Sequence, residues 1–466
     1  MLALILCAVS CFLYAWWQWA MNYRRLKSNK LPPMYPGLLP IIGHAHLLIG
    51  NTTRKNSLKS TTFVMESMVI ADPEDSVTAA NSCLHKHFAY DFGKPWMGEG
   101  LVLASVWKRH RKLLSPAFSL QVLHSFLGVF NQQARRQVSH FDPEVGRGKF
   151  DHLASLKHVA LETVCLTAFG ITADEDKDFN KLYMAAVDQI LNIIALRFSN
   201  FWLQSELIYS FTNLKKKQDE VVKVLNAMSS TVTAQTSNKK VCLKTVVTQV
   251  SLMDLLLELS EENALTDKEI REEVDTAIVA SYDTTSCLLA YVMMMLGTYP
   301  EAQEKILQKI FGDTDRDVTK DDLPMMVYTD AVIKETLRLY PTGPVGLRYV
   351  DKDVQLKNYI MPAGSQCALL IYGIHNHSNW GPDVKEFRPE RWLDPNNLPN
   401  SNMFAGFSIG KRSCMGRTFA TLSMKTTLTH VLRRYKITAD ISELKLKIDF
   451  LLKPVSGSLV SLEMRN

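Results

Sequence analysis

Residues Phe407–Gly416 read FSIGKRSCMG and set one cysteine, Cys414, among glycines, an arginine and an aromatic residue. A thiol becomes a strong iron ligand only as a thiolate, which requires nearby positive charge or hydrogen-bond donors. Gly410 and Gly416 allow a tight turn and a close backbone approach to a flat macrocycle, and Arg412 can pair with a carboxylate of that macrocycle. The pattern therefore predicts an iron-binding thiolate. The alternative is that Cys414 is a small, buried hydrophobic residue.

The composition limits the class of protein. The 466 residues are 47% hydrophobic and 21% charged, which is enough for a large buried core. The net charge of +6 is too small to indicate nucleic-acid binding, but it favours an acidic partner or an anionic membrane surface. The 8 cysteines contain no C-x-x-C pair, so the sequence indicates neither a zinc site nor a redox dithiol.

The N-terminus has the character of a membrane anchor. Residues 1–23, MLALILCAVSCFLYAWWQWAMNY, carry no charged side chain, and a basic run follows at once: Arg24, Arg25, Lys27 and Lys30. A helix of this length crosses roughly 30 Å of hydrocarbon, and the positive-inside rule puts the rest of the chain in the cytosol. We expect an anchor over residues 1–23, a basic and proline-rich hinge over 24–43, and one catalytic domain over 44–466. A cleaved signal peptide fits less well because a basic n-region is missing.

The patterns predict a mainly α fold with a smaller β-rich part. The longest helical segment is LTDKEIREEVDTAIVASYDTTSCLLAYVMMMLGTYP, with Thr266 and Glu269 as its capping box and Pro300 at its end. Its second half is apolar on all sides, so we expect it to cross the core. FVMESMVIADPED predicts a short hairpin before a helix that starts at Asp72 and Pro73. LKLKIDFLLKP and GSLVSLEMR predict a terminal hairpin.

Two further motifs place paired side chains at helical spacing. Glu335 and Arg338 in KETLRLYP share a helix face, although such a pair is more often solvated and of little energetic value. Asp283 and Thr284 in ASYDTT lie in the middle of the long helix, where both are poor choices for stability. Such breaches of local rules tend to mark function. The alternative for Thr284 is a hydroxyl that bonds back to a helix carbonyl.

These motifs stand in the order found in the haem-thiolate monooxygenases of the cytochrome P-450 superfamily. F-x-x-G-x-R-x-C-x-G at residues 407–416 resembles their haem-binding motif, and KETLRLYP, FRPERW, SVWKRHRK and ASYDTT resemble four others. The resemblance extends from about residue 30 to the C-terminus. It implies the cytochrome P-450 fold, with haem b between the long central helix and the cysteine loop. It also implies that Cys414 is the axial thiolate ligand of the iron.

The resemblance implies roles for the other motif residues. Asp283 and Thr284 would be catalytic and supply protons during oxygen activation. Phe407 would pack on the porphyrin and shield the sulfur, beside Gly416 in the same turn. Four residues would hold the haem propionates: Trp107, Arg111, Arg348 and Arg412. For Arg348 the alternative is an exposed loop arginine. Three residues would form a buried structural cluster behind the ligand loop: Glu335, Arg338 and Arg391.

The sequence departs from the family pattern in three places. Ser281 stands where most members have a glycine that opens a groove for dioxygen. Ala280 stands where many members of the most similar clan, the microsomal fatty-acid hydroxylases with their insect branches, have a glutamate that can esterify the haem. Alanine cannot do so, and we expect non-covalent haem. The segment between Gly43 and Phe63 is shorter than in most relatives, which have a further helix there.

The expected function is insertion of one oxygen atom from O2 into a lipophilic substrate at the endoplasmic reticulum membrane. Electrons would come from NADPH through a flavoprotein reductase that docks near the basic cluster of SVWKRHRK, with cytochrome b5 as an optional second donor. Nucleic acid is not an expected partner. One alternative is a non-catalytic haem-binding or ligand-sequestering membrane protein. Another is a haem-thiolate isomerase or dehydratase, against which the Asp283–Thr284 pair argues. The substrate stays open among fatty acids, hormones, hydrocarbons, odorants and toxins.

Overall fold

The fold is known from a computed structural model, which describes residues 67–103, 105, 107–171, 177–243, 251–309, 315–394, 398–448 and 451–465. The expected anchor at residues 1–23, the hinge at 24–43 and the short segment between Gly43 and Phe63 lie outside the described residues.

Helices form most of the described chain. In chain order they are Pro73–Ser82 (α1), Lys94–Met97 (α2), Trp107–Leu114 (α3), Leu120–Ser125 (α4), Leu127–Phe141 (α5), Leu153–Phe169 (α6), Lys177–Ser199 (α7), Phe201–Gln204 (α8), Glu206–Ser210 (α9), Asn213–Leu243 (α10), Leu252–Glu261 (α11), Asp267–Thr298 (α12), Pro300–Lys309 (α13), Val327–Leu339 (α14), Ile371–His375 (α15) and Arg417–Arg434 (α16). The mainly α prediction is confirmed.

The strands are short. In chain order they are Ser67–Ile70 (β1), His85–Lys86 (β2), Phe150–Asp151 (β3), Val345–Tyr349 (β4), Val354–Gln355 (β5), Ile360–Met361 (β6), Gln366–Leu370 (β7), Tyr435–Thr438 (β8), Leu446–Ile448 (β9), Leu452–Pro454 (β10) and Leu459–Met464 (β11). One sheet has the order β1-β7-β4-β2, another has the order β3-β11-β8, and the pairs β5–β6 and β9–β10 stand alone.

The long helix α12 forms as its sequence predicts. Thr266 Oγ1 accepts from the Glu269 N–H, and the Glu269 carboxylate accepts from the Thr266 N–H at 2.8 Å. This capping box pairs two N–H groups that lack partners inside the helix. From Tyr282 to Leu296 most side chains are buried, as expected for a helix that crosses the core. Pro300 ends the segment and opens α13.

The predicted terminal hairpin is wrong, because its second segment pairs with strands remote in sequence. The first half of the hairpin predicted for FVMESMVIADPED lies outside the described residues, and that hairpin stays a prediction. β1, the second half of that segment, pairs in parallel with β7, and the helix that follows it starts at Asp72 as predicted. LKLKIDFLLKP folds on itself, since β9 pairs with β10. GSLVSLEMR instead supplies β11, which pairs with β8 and β3.

Two helical stretches of the described chain are long and apolar enough to cross a membrane by length and composition, Lys181–Ser199 and Asp267–Thr298. In the second, 78% of the apolar window is buried inside the protein. That burial is what a core helix requires, because its apolar sides are already covered by neighbouring helices.

The core around α12 has two parts. Its first half packs among α6, α7, α10 and α11. Its second half packs against α14, α16, β8 and β11. Met415 and Phe419, from the cysteine loop and the start of α16, pack against the same core cluster as Ala277 and Val279 of α12. The cysteine loop and the middle of the long helix therefore border one common interior region.

Candidate active site

The loop of residues 407–416 has a backbone shape that depends on its sequence. The Cys414 N–H donates to the Phe407 carbonyl at 2.8 Å. Ser408 and Gly410 adopt left-handed conformations, with φ of 62° and 70°. A Cβ on Gly410 would lie 3.0 Å from the Cβ of Ala80 in α1, so glycine is required both for the turn and for packing. The loop thereby holds Cys414 as an exposed residue.

The turn does not need a glycine at 416. Gly416 has a φ of −80°, which any residue can adopt, and a Cβ there would make an ordinary 3.9 Å contact with Cys414 Sγ. The turn itself therefore does not explain the glycine, and the close approach of Gly416 to a macrocycle stays a prediction. The backbone N–H of Gly416 nevertheless acts on the sulfur.

Opposing influences act on the Cys414 thiol. Packing around the sulfur raises the pKa of the thiol, whereas the backbone N–H of Gly416 and the charge of Arg111 lower it, as do the N–H and charge of Arg417. The donors and cations are those that stabilise a thiolate, and a bound metal ion deprotonates a coordinating thiol outright.

Three arginines beside this loop pair with no carboxylate of the described residues. Arg111 donates to the Ser413 carbonyl, and the Arg412 guanidinium lies 4.7 Å from the centre of the Trp107 ring. Arg348 lies on β4 and is buried, so the alternative of an exposed loop arginine is wrong. Its Nε is buried without a hydrogen-bond partner in the described part of the chain.

Within the described ranges, none of Arg111, Arg348 and Arg412 pairs with a carboxylate. Their hydrogen bonds go to backbone carbonyl oxygens instead. Arg348 donates to the Leu347 carbonyl at 2.8 Å, and Arg412 donates to the Leu84 carbonyl at 3.2 Å. Burial and the charge of Arg348 lower the pKa of Arg412 to about 10. Buried cations that lack a partner are costly, so this site fits a ligand that brings carboxylates.

Opposite the loop, α12 presents one accessible face in its otherwise buried middle. Ala280 is exposed, and Ala277, Ser281 and Thr284 are partly exposed, while Asp283 is buried. Thr284 Oγ1 donates to the Ala280 carbonyl at 2.7 Å, which is the bond foreseen in the alternative interpretation. The hydroxyl oxygen keeps its acceptor capacity on the accessible face.

Asp283 points into a charged network. Its carboxylate lies 2.9 Å from Lys157 Nζ of α6 and 3.5 Å from Lys453 Nζ of β10. Both lysines also reach Asp188 of α7, at 3.0 and 3.3 Å, and the Asp188 side chain is 49% exposed. Burial lowers the pKa of Lys157, but Asp283 and Asp188 outweigh burial and raise it above its usual value. A chain of charges thus connects the buried acid to the protein surface.

Behind the cysteine loop lies the cluster of Glu335, Arg338 and Arg391. Arg338 makes two bonds to the Glu335 carboxylate, at 2.8 and 2.9 Å, and Arg391 Nε makes a third at 2.9 Å. All three are buried. The Trp392 indole N–H also donates to Glu335 at 2.9 Å. Arg391 also lies 3.3 Å from the Asp383 carboxylate, so two guanidinium groups face two carboxylates, as a stable buried network requires.

His375 joins this cluster to the ligand loop. Its Nδ1 lies 3.1 Å from the Arg338 carbonyl, and its Nε2 accepts from the Ala405 N–H at 2.9 Å. Burial and the charge of Arg338 lower the pKa of His375 to about 3, so the ring is neutral with its proton on Nδ1. The ring stacks on Phe404 with 5.5 Å between centroids. The motifs did not reveal His375, because nothing in GIHNHSNW marks which histidine is buried.

The surface next to the cysteine loop is basic. Lys108 and Lys112 of α3 are exposed, as expected of a solvated face. His110 is different: it is buried and bonds to Glu273 of α12 at 2.7 Å. A surface cavity of about 240 Å³ beside Phe407 has a cationic lining of Lys334, Arg417 and Lys425.

Comparison with known proteins identifies the family. The cytochrome P450 family model matches residues 66–460. The chain belongs to the cytochrome P450 superfamily. It is 32% identical to Cytochrome P450 4c3 of Drosophila melanogaster, over 86% of this chain and 80% of that protein. It is 30% identical to Cytochrome P450 4V2 of Mus musculus (85% and 79%) and 27% identical to Cytochrome P450 4g15 of Drosophila melanogaster (97% and 95%).

This P450 is a haem-thiolate monooxygenase, as the motifs predicted, and its relatives include insect members of the family 4 fatty-acid hydroxylases. The non-catalytic alternative finds no support among them. The relatives also indicate a membrane-associated enzyme with a redox partner and a lipophilic substrate. The geometry fits haem, because an accessible cysteine with thiolate-stabilising donors lies beside the buried Arg348 and the partly exposed Arg111 and Arg412, none of which pairs with a carboxylate of the described residues.

Proposed function

We propose that this P450 hydroxylates a lipophilic substrate at the endoplasmic reticulum membrane, with haem b as its cofactor. Residues 1–23 would anchor the chain, 24–43 would form the hinge and 44–466 the catalytic domain. The observation that carries the proposal is Cys414, accessible in a loop whose neighbouring arginines pair with no carboxylate of the described residues. The uncharged N-terminal run supports the anchor.

The proximal residues would hold and tune the haem. Bound through a thiolate, haem activates dioxygen, since electron density pushed onto the iron favours O–O cleavage. Cys414 supplies that thiolate, and the N–H groups of Gly416 and Arg417 donate towards its sulfur. Phe407 would pack on the porphyrin and shield the sulfur, and the Arg417 guanidinium lies 5.6 Å from its ring centre. Four side chains hold the propionates: Trp107, Arg111, Arg348 and Arg412.

The distal residues would manage protons. Thr284 presents its hydroxyl on the accessible face of α12, and its bond to the Ala280 carbonyl fixes the direction of the hydroxyl proton. Lys157 and Lys453 link the buried Asp283 to the exposed Asp188, and this path would connect the acid to water. The pair therefore has a source of protons on one side and the accessible face on the other.

The proposed electron donor is an NADPH-dependent flavoprotein reductase, with cytochrome b5 as an optional second donor. An acidic surface would be attracted to exposed Lys108 and Lys112 and to the cavity lined by Lys334, Arg417 and Lys425. These cations border the cysteine loop, so a bound donor would lie on the sulfur side of the haem. Lys334 and Lys425 both contact Asp330, at 2.6 and 3.4 Å, which leaves Arg417 as the cation without a described carboxylate partner.

The test is the reduced carbon monoxide spectrum together with turnover. The full-length protein should show the red-shifted absorbance of a thiolate-ligated haem and should consume NADPH with a reductase when a substrate is present. Cys414→Ala should remove both, whereas Cys165→Ala, a change at a buried cysteine of α6, should keep both. A Cys414→Ala protein that retained the spectrum and turnover would contradict the proposal. Spectral titration with fatty acids, hydrocarbons and other lipophilic compounds then identifies the substrate class.

A further inference from the structure

Two neighbouring residues hold helix α3 on two different sides. His110 contacts α12, where its Nδ1 donates to Glu273 Oε1 at 2.7 Å, and Arg111 contacts the cysteine loop, where it donates to the Ser413 carbonyl. Successive positions of an α-helix are about 100° apart, so the two side chains leave α3 in different directions. The helix therefore bridges α12 and the loop that carries Cys414.

The bond between His110 and Glu273 joins two buried groups. This hydrogen bond is the largest influence on the pKa of His110 and raises it; the charges of Glu273 and of Glu269, 3.7 Å from Nε2, act in the same direction, whereas burial acts against them. Among the described residues, His110 is the ion-pair partner of the Glu273 carboxylate. Each group therefore depends on the other, because a buried charge that loses its partner is strongly destabilising.

Glu273 lies where the accessible face of α12 ends. Steps of four, three and four residues lead from it to Ala277, Ala280 and Thr284, so the four residues share one side of the helix. Glu273 is buried, whereas the other three are at least partly exposed. The pair with His110 therefore fixes α3 next to the face of α12 that lies opposite the cysteine loop.

A second contact between the same helices is weaker. Arg109 of α3 lies 3.2 Å from the Glu269 carboxylate, but 49% of the Arg109 side chain is exposed. Arg109 also donates to the Ala264 carbonyl, which precedes α12. Exposed ion pairs contribute little to stability. The position of α3 relative to α12 therefore depends mainly on the buried pair.

We propose that His110 and Glu273 are positioning residues for the haem, and that they act through Arg111. Their bond sets the position of α3 against the long helix, and α3 in turn places the Arg111 guanidinium beside the cysteine loop. This inference rests on the proposed function, because it requires haem in the site. The alternative is a buried pair that stabilises the fold without influence on Arg111.

The test first compares haem retention in variants of the full-length holoenzyme. His110→Leu should speed the transfer of haem to apomyoglobin about tenfold, the typical effect of one lost hydrogen bond to a charged group. His110→Asn should stay within about threefold of the wild type, because its amide N–H can replace the donor at Nδ1. His124→Leu, a change at a partly exposed histidine of α4, is the matched control and should leave the rate unchanged.

Removal of Arg111 separates positioning from a general loss of stability. Arg111→Met should itself speed haem transfer about tenfold. Once this guanidinium is gone, His110→Leu should add little, whereas two independent effects would multiply to about a hundredfold. A hundredfold rise in the combined variant would overturn the inference, and so would an unchanged rate in His110→Leu alone. If the wild type itself binds no haem, the proposed function fails, whatever the His110 variants do.

The ferric–ferrous midpoint potential gives a readout that lost stability alone would not move. His110→Leu/Glu273→Leu removes a cation and an anion together, so it leaves the net charge unchanged and no buried charge unpaired. Its potential should nevertheless move to more negative values, as in Arg111→Met, because displacement of the Arg111 cation favours the ferric form. A potential equal to that of the wild type would overturn the inference, and this double variant replaces His110→Leu in every comparison if the single variant does not fold.

Discussion

Replacement of His375 by phenylalanine should loosen the cysteine loop without emptying the core. Phenylalanine can keep the stacking on Phe404, but it cannot bond to the Arg338 carbonyl or the Ala405 N–H. Both backbone groups then stay buried without a partner, which costs about 1–3 kcal/mol each. We therefore expect a loss of about 2–6 kcal/mol at neutral pH. The loss should concentrate where Ala405 leads into the ligand loop.

The assay follows the thiolate-ligated carbon monoxide complex at a fixed temperature. Because about 1.4 kcal/mol corresponds to a factor of ten, His375→Phe should lose this complex at least about tenfold faster than the wild type. His377→Phe is the control, since His377 makes one weak bond, to the Asn379 N–H at 3.3 Å, and should change the rate little. Equal rates for the two variants would refute the role given to His375.

The pH dependence provides an independent check. His375 has a pKa of about 3 in the folded protein and an ordinary value of 6.5. Above pH 6.5 it is neutral in both states and its titration contributes nothing. As the pH falls from 6.5 towards 3, only the unfolded chain gains the proton, so the wild type loses about 1.4 kcal/mol per pH unit. Phenylalanine cannot titrate, so the stability deficit of His375→Phe should shrink by about 1 kcal/mol between pH 6.5 and 5.5, because the slope reaches its full value only well below pH 6.5. A deficit that stays constant or grows over this range contradicts the neutral, buried histidine.

Two further predictions concern the distal side. Lys157→Met removes the cation that lies 2.9 Å from Asp283. The amount of product formed per NADPH should therefore fall several-fold, while the thiolate spectrum is kept. Lys453→Met removes a cation that lies 3.5 Å away and should have a smaller effect. Full coupling in Lys157→Met, measured by hydrogen peroxide release, would show that the network is not used. Ala280 offers no carboxylate, so denaturation should release all haem, and detection of a haem–protein adduct by mass spectrometry would contradict non-covalent binding.

The sequence predicted those features that depend on local spacing. The capping box of Thr266 and Glu269 and the burial of the second half of α12 follow from residues within a few turns of one another. The ligand loop has fixed positions around Cys414, so its chemistry could be read directly. The failures concern pairing between distant segments. GSLVSLEMR has the alternation of a strand, but alternation does not specify a partner, and β11 found β8 and β3.

The motifs missed some proposed site residues for the same reason, because those residues depend on contacts between distant segments. Lys157 looks like a polar position on an amphipathic helix until α6 meets Asp283 of α12. His375 has a neighbour of the same type two residues later, and burial alone distinguishes the two. In each case a tertiary contact is the basis of the proposed role.

The two charged groups of the site are built on opposite principles, and this makes their roles separable. Arg348 is buried and lacks an anion of its own in the described chain, so the cost of its charge is relieved only by a ligand that brings one. Asp283 already has its cations within the fold, and its network needs no ligand to be neutral. Loss of Arg348 should therefore weaken haem retention while leaving the coupling of electrons to product intact. Loss of Lys157 should do the reverse. A variant of either residue that impaired both properties equally would indicate one continuous network across the haem rather than two independent ones.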